Sequence, residues 1–196
     1  MVQTPVKREN TTIEDFLLLP ETKPASEYID GKIIQKPMPK AAHSRIRAKL
    51  TSAIDLALES TQKALTFPEL RCTFGGHSIV PDITVLPWAA IPRDEDGMID
   101  GELSAAPSWM IEILSPKQSP SKLVKKILHA AEYGTQMGWL VDPYEKCVFS
   151  YLPDAPTAFY EKSGVRLPVP EFASDFELTV GELFGWLYAT DQSAIA

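Results

Sequence analysis

The sequence has little cysteine: two thiols, Cys72 and Cys147, in 196 residues. They lie far apart, form no CxxC pair and outline no disulfide framework, so a reducing cytoplasm is the expected home. No window approaches the roughly 20 uninterrupted apolar residues of a membrane span, so no membrane association is expected. The opening MVQTPVKREN has no apolar stretch behind its basic pair and does not read as a secretory signal. A GxGxxG loop, a Walker lysine loop, an HExxH helix and a GxSxG elbow are all missing, which removes dinucleotide binding, P-loop phosphate binding, zincin chemistry and the common serine hydrolases. There is also no basic excess. The formal net charge is -7, which argues against a protein that coats nucleic acid through unselective phosphate neutralisation.

What is present fits one soluble globular domain spanning 1–196, with 1–11 expected to be loose. Hydrophobic residues make up 44% and charged residues 23%, too rich in apolar side chains for a disordered chain. Basic residues cluster locally. Lys36, Lys40, Arg45, Arg47 and Lys49 follow one another without an acid between them, as do Lys117, Lys122, Lys125 and Lys126. Such runs read either as solvated surface or as two basic faces flanking one site.

Thr12 and Asp15 suggest a capped short helix ending near Pro20. Asp30-Gly31 suits the tight turn of a hairpin over 28–34. Residues 43–60 form the clearest amphipathic helix, with Ile46, Leu50, Ala53, Ile54, Ala57 and Leu58 in one stripe. Strands are expected at 65–74, 78–86, 109–114, 139–141 and 148–152. The acidic stretch 87–107 is too long for a structureless connection, and is either functional or partly ordered. Ser119 can cap a second helix that starts on Pro120, has a stripe of Leu123, Val124, Ile127, Leu128 and Ala131, and ends at Gly134. A last helix covers 180–188. The order predicts an α/β fold around a central mixed β-sheet flanked by helices.

Two acids stand in apolar strands. Asp82 follows Pro81 within 79–86, and Glu112 lies within 109–114. A carboxylate there is disfavoured by strand propensity and costs several kcal/mol to bury without a partner. A divalent cation held by both acids and by water is one such partner, and it could promote displacement at phosphorus. A turn bond for Asp82 or a lysine across the sheet for Glu112 is the plainer alternative. On a helical wheel Lys125 and Lys126 flank the apolar stripe about equally, so each could turn an ammonium toward a strand. His43 falls within the stripe of its helix, as a packed histidine or as a group touching the site or a phosphate. Glu27, before the hairpin, is either an ordinary loop acid or a further acid of the site.

These residues, in order, carry a resemblance. Glu27-Tyr28-Ile29-Asp30-Gly31-Lys32-Ile33-Ile34 with Pro37-Met38-Pro39 and His43, then Pro81-Asp82-Ile83-Thr84-Val85, then Ile111-Glu112-Ile113-Leu114-Ser115-Pro116, then Lys126, Gly134 and Trp139-Leu140-Val141-Asp142-Pro143 span nearly the whole chain. The stretch from Leu167-Pro168 to Leu183-Phe184 is also similar. The chain resembles a bacterial domain-of-unknown-function family of restriction-endonuclease-like proteins, grouped with the PD-(D/E)xK nucleases. The resemblance implies a restriction-endonuclease-like core with Asp82 and Glu112 as Mg²⁺ or Mn²⁺ ligands on neighbouring strands, and Glu27 and His43 near the same cleft. The superfamily's usual lysine would fall at Leu114. The resemblance instead implies a cation from the following helix, best matched by Lys126 with Lys125 beside it. The expected activity is metal-dependent endonucleolytic hydrolysis of DNA, with DNA as partner and a homodimer as the usual assembly of such soluble proteins. The alternative is an inactive nuclease-fold module that binds nucleic acid or protein.

Overall fold

The computed structural model describes residues 11–116 and 118–189. The first ten residues and Lys117, which carried expectations above, lie outside them. The chain opens with α1 (Ile13–Leu17), where Thr12 and Asp15 form a reciprocal capping box. A hairpin follows, β1 (Ser26–Ile29) and β2 (Lys32–Gln35), turned by Asp30 and Gly31 at φ 50° and 73°. Helix α2 (Ala41–Leu58) buries Ile46, Leu50, Ile54 and Leu58, as its spacing predicts.

The next segment departs from expectation. Two long strands were expected over 65–74 and 78–86. Instead the chain forms β3 (Ala64–Pro68), β4 (Cys72–Phe74), β5 (His77–Ile79) and β6 (Ile83–Pro87). Each long run breaks where it passes from one sheet to another, at Glu69-Leu70-Arg71 and at Val80-Pro81-Asp82. Periodicity counts alternation along a strand, but it cannot detect a change of sheet that preserves the alternation. Stretch 87–107 is partly ordered, with a 3₁₀ turn at Trp88–Ala90 and bridges of Arg93 to Ile99 and Cys72 to Leu103. Then come β7 (Trp109–Ile113), α3 (Pro120–Glu132), β8 (Met137–Asp142), β9 (Cys147–Tyr151), β10 (Ala158–Tyr160) and α4 (Val180–Gly185). Strand β10 has no counterpart among the expected strands.

The strands build two sheets. The larger has the order β10-β9-β8-β7-β6-β3, antiparallel throughout except for the parallel pair β7 and β8. A parallel pair needs a crossover, and α3 supplies it. The smaller is antiparallel, with the order β2-β1-β5-β4. The expectation of a mixed sheet flanked by helices holds, with this second sheet added.

Alternation along β7 sorts its side chains. Trp109, Ile111 and Ile113 join the core under α2 and α4, whereas Met110 and Leu114 join the core with Leu123, Ile127 and Ala130 of α3. Glu112 shares the parity of Met110, so it belongs to the α3 face. Helix α3 comes close to β8 because Gly138 has no side chain. A Cβ there would collide with Ile127 Cγ2.

Candidate active site

Register brings the two strand acids together. Ile83 pairs with Ile111 at the end of the antiparallel β6–β7 ladder, and carrying that register one residue further sets Asp82 opposite Glu112, whose carboxyl feels the Asp82 charge. Directly opposed residues of an antiparallel pair point to the same face. Pro81 and Asp82 occupy the link that leads from β5 in the small sheet to β6 in the large one. Asp82 is buried. Its Oδ2 accepts the Ile113 N–H at 2.8 Å, its Oδ1 accepts Lys36 Nζ at 2.7 Å, and His43 Nε2 stands 3.0 Å from Oδ2. Burial works to raise the Asp82 pKa, but the Lys36 charge and the His43 ring outweigh it and hold the carboxyl well below the usual range.

Glu112 sits in the opposite condition. It is fully buried. Lys126 Nζ lies 2.7 Å from Oε1, but neither carboxylate oxygen has a partner in hydrogen-bond geometry. Burial pushes its pKa up to about 7, with Lys126 pulling down and the Asp82 charge pushing further up. Lys126 is divided between two acids, because its ammonium also donates to Glu27 Oε1 at 2.6 Å. Burial would lower the Lys126 pKa, yet Glu112 and Glu27 together hold it above its ordinary value. Glu27, on β1, is buried and also accepts the Val80 N–H at 2.9 Å. It thereby ties the small sheet, the inter-sheet link and α3 to one another.

Of the expected site residues, Glu27, His43, Asp82, Glu112 and Lys126 converge. Lys125 does not; it is exposed. The choice follows from the seating of α3. The expected stripe leaves Leu128 inside, but Leu128 is 48% exposed, and the buried set is Leu123, Lys126, Ile127 and Ala130. At about 100° per residue, that rotates the buried face by roughly 80° toward Lys126. A wheel that scores only apolar residues omits a lysine drawn inward by two carboxylates. His43, in the first turn of α2, meets a carboxylate rather than backbone. Ser119 makes no capping bond; its hydroxyl pairs with Ser121 Oγ at 2.8 Å.

Lys36, just beyond β2, is the site residue the sequence reading missed. Its ammonium donates to Asp82 Oδ1 and to Val80 O, each at 2.7 Å. The available signal was that it begins a basic run directly after the Glu27 hairpin. Other members of that basic run are engaged elsewhere or peripheral. Arg47 pairs with Glu69 at 2.7 Å, Arg45 Nε donates to Trp186 O at 3.1 Å, and Lys40 is exposed at the head of α2.

An open cleft leads to the site, walled by Lys36, His43, Asp82, Ser115 and Gln118. Glu27, Glu112 and Lys126 are not among its walls. The cluster holds three carboxylates against two ammonium groups, leaving a negative charge unless Glu112, whose pKa is raised, takes up a proton. A buried Glu112 whose one close partner is the Lys126 ammonium, a nearby Asp82 and an all-carboxylate donor set fit a hard divalent cation. Among the described residues no group of three His, Cys, Asp or Glu side chains converges as a metal site, so such an ion would rest on two carboxylates and water. No helix among them is long and apolar enough to cross a membrane.

The family Uma2, described as "Putative restriction endonuclease", matches residues 13–181. Among solved structures, a "putative nuclease belonging to DUF820" from Anabaena variabilis ATCC 29413 is 51% identical, with a TM-score of 0.90. The match covers 91% of this chain and 100% of that one. A search of curated proteins found no match.

Proposed function

The chain belongs to the Uma2 family of restriction-endonuclease-like proteins, and from that premise and the site geometry we propose that it is a metal-dependent endonuclease hydrolysing DNA phosphodiester bonds. The observation that carries this reading is the approach of two buried carboxylates, Asp82 and Glu112, the second with an Oε2 that has no hydrogen-bond partner. Fully buried carboxylates without hydrogen bonds are costly and are kept where they serve chemistry.

Asp82 and Glu112 would hold Mg²⁺ or Mn²⁺, which when bound supplies a hydroxide nucleophile near neutral pH and neutralises charge at phosphorus. The chain's own groups do the rest. The Ile113 N–H fixes the Asp82 carboxylate. Lys126, kept charged by Glu27 and Glu112, places a permanent ammonium beside the reacting region, where it can stabilise developing negative charge. Glu27 holds that ammonium in place from the small sheet. His43 and Lys36 face the cleft, where a phosphate would enter.

A second reading keeps the fold without catalysis, as a module that binds nucleic acid or protein. The observation in its favour is that both site lysines are already paired with carboxylates. Plasmid or oligonucleotide cleavage with Mg²⁺ or Mn²⁺ separates the two. Asp82→Asn and Glu112→Gln should each abolish cleavage, a fall of at least about 10²-fold. Cleavage that survives both substitutions excludes the proposed mechanism. No cleavage by the wild type, together with no Mn²⁺ heat in calorimetry, favours the module.

A further inference from the structure

Lys36 reaches the site from a different sheet than the residue it touches. It follows the edge strand β2 of the small sheet, while Asp82 leads into β6 of the large one. Its side chain is only 10% exposed, and its ammonium is held by Asp82 Oδ1 and Val80 O. An ammonium has three N–H donors. Two are spent, and the group stands in the wall of the cleft. The same Asp82 has its other oxygen bonded to the Ile113 N–H and close to His43. Oδ1 is therefore the Asp82 oxygen with a single partner, and that partner is a cation.

We propose that Lys36 is a built-in counter-ion of Asp82, occupying Oδ1, and that a divalent metal ion must compete with it. This rests on the metal-dependent reading above and deepens it, since it assigns the regulation of metal entry to one residue. Two cations on one buried carboxylate repel each other, and the exchange of one for the other is a difference of affinities. Lys36 is the member of the pair that can move. It is tethered at the end of an exposed strand by a long flexible stem, whereas Asp82 is fixed by backbone. Once displaced, its ammonium remains on the cleft wall, where a phosphate oxygen would be its natural new partner. Metal loading and substrate binding would then favour each other, because each relieves a cost of the other.

Mn²⁺ titration by calorimetry, on the full chain without nucleic acid, tests this. The probes are wild type, Lys36→Gln and Lys36→Met, with Asp82→Asn as the control that removes the ligand. Removing the competitor should tighten Mn²⁺ binding about tenfold in both Lys36 variants, the size of one lost charge-assisted hydrogen bond. A residue with only a structural role would give the reverse or no change. Equal or weaker Mn²⁺ binding in both variants, with thermal unfolding showing them folded, overturns the proposal while leaving the metal site standing. No Mn²⁺ binding by wild type or either variant overturns the metal-dependent reading and this proposal together.

Discussion

The site has an open half and a closed half, built around the same chemical group. In the open half, Asp82 is surrounded by donors: the Ile113 N–H, Lys36 and, nearby, His43. In the closed half, Glu112 lies behind the cleft with no hydrogen-bonded oxygen and one ammonium it must share with Glu27. Both carboxylates are buried, so burial alone does not set their proton affinity. The neighbouring charges do: Lys36 and His43 hold one carboxyl well below its ordinary value, whereas burial, with the Asp82 and Glu27 charges, outweighs Lys126 and raises the other to about 7. A site with one firmly ionised acid and one near its titration point can bind charge permanently at the first and adjust it at the second.

The largest effect expected from disturbing this contrast comes from the closed half. Lys126→Met leaves Glu27 and Glu112 buried without a counter-charge and should cost about 3–5 kcal/mol in urea unfolding. Lys36→Met removes one cation from an acid that keeps other partners, and should cost about 1.5–3 kcal/mol. If the two substitutions cost the same, the distinction between the halves is wrong.

The pH dependence of stability sharpens the same contrast. Glu112 has its folded pKa raised from 4.5 to about 7, so its contribution is present below pH 4.5 and is lost as pH rises toward 7. Asp82 has its folded pKa depressed, so its contribution is present above its ordinary value of 3.8 and is lost as pH falls below it. The Glu112→Gln variant should therefore flatten a fall of up to about 1.4 kcal/mol per pH unit between pH 4.5 and 7. Asp82→Asn should leave that window unchanged and weaken the loss in acid. Denaturant midpoints across a pH series would show both.

A steric test is smaller. Gly138→Ala places a Cβ against Ile127 and should cost about 1–3 kcal/mol, moving α3 and with it Lys126. Cleavage should fall more than stability alone explains. Least of all, Lys125→Gln should change stability by under about 0.5 kcal/mol and leave cleavage intact, because Lys125 is exposed. Loss of activity there would reopen the choice between the adjacent lysines.

Much of the frame was legible from residue spacing. The Thr12 capping box, the Asp30-Gly31 turn and the α2 stripe all form where local chemistry places them. The two buried acids were legible as unusual too, because Asp82 and Glu112 interrupt apolar runs. Three things were not. The break at Val80-Pro81-Asp82 is a tertiary event, set by which sheet each half joins. The roll of α3 that buries Lys126 depends on Glu27 and Glu112, both distant in sequence. Lys36 looked like a member of a basic run because its partner lies 46 positions away.

That distance points to an order of events during synthesis. The Lys126–Glu27 bond spans 99 positions, and α3 must be complete before it can form. A nascent chain that has emerged only through β7 carries all three acids but not the ammonium between two of them. Asp82 already has Lys36 in such a chain, whereas Glu27 and Glu112 gain their shared counter-charge only with α3. The charge balance of the cluster is thus completed by the last of its charged parts to be made.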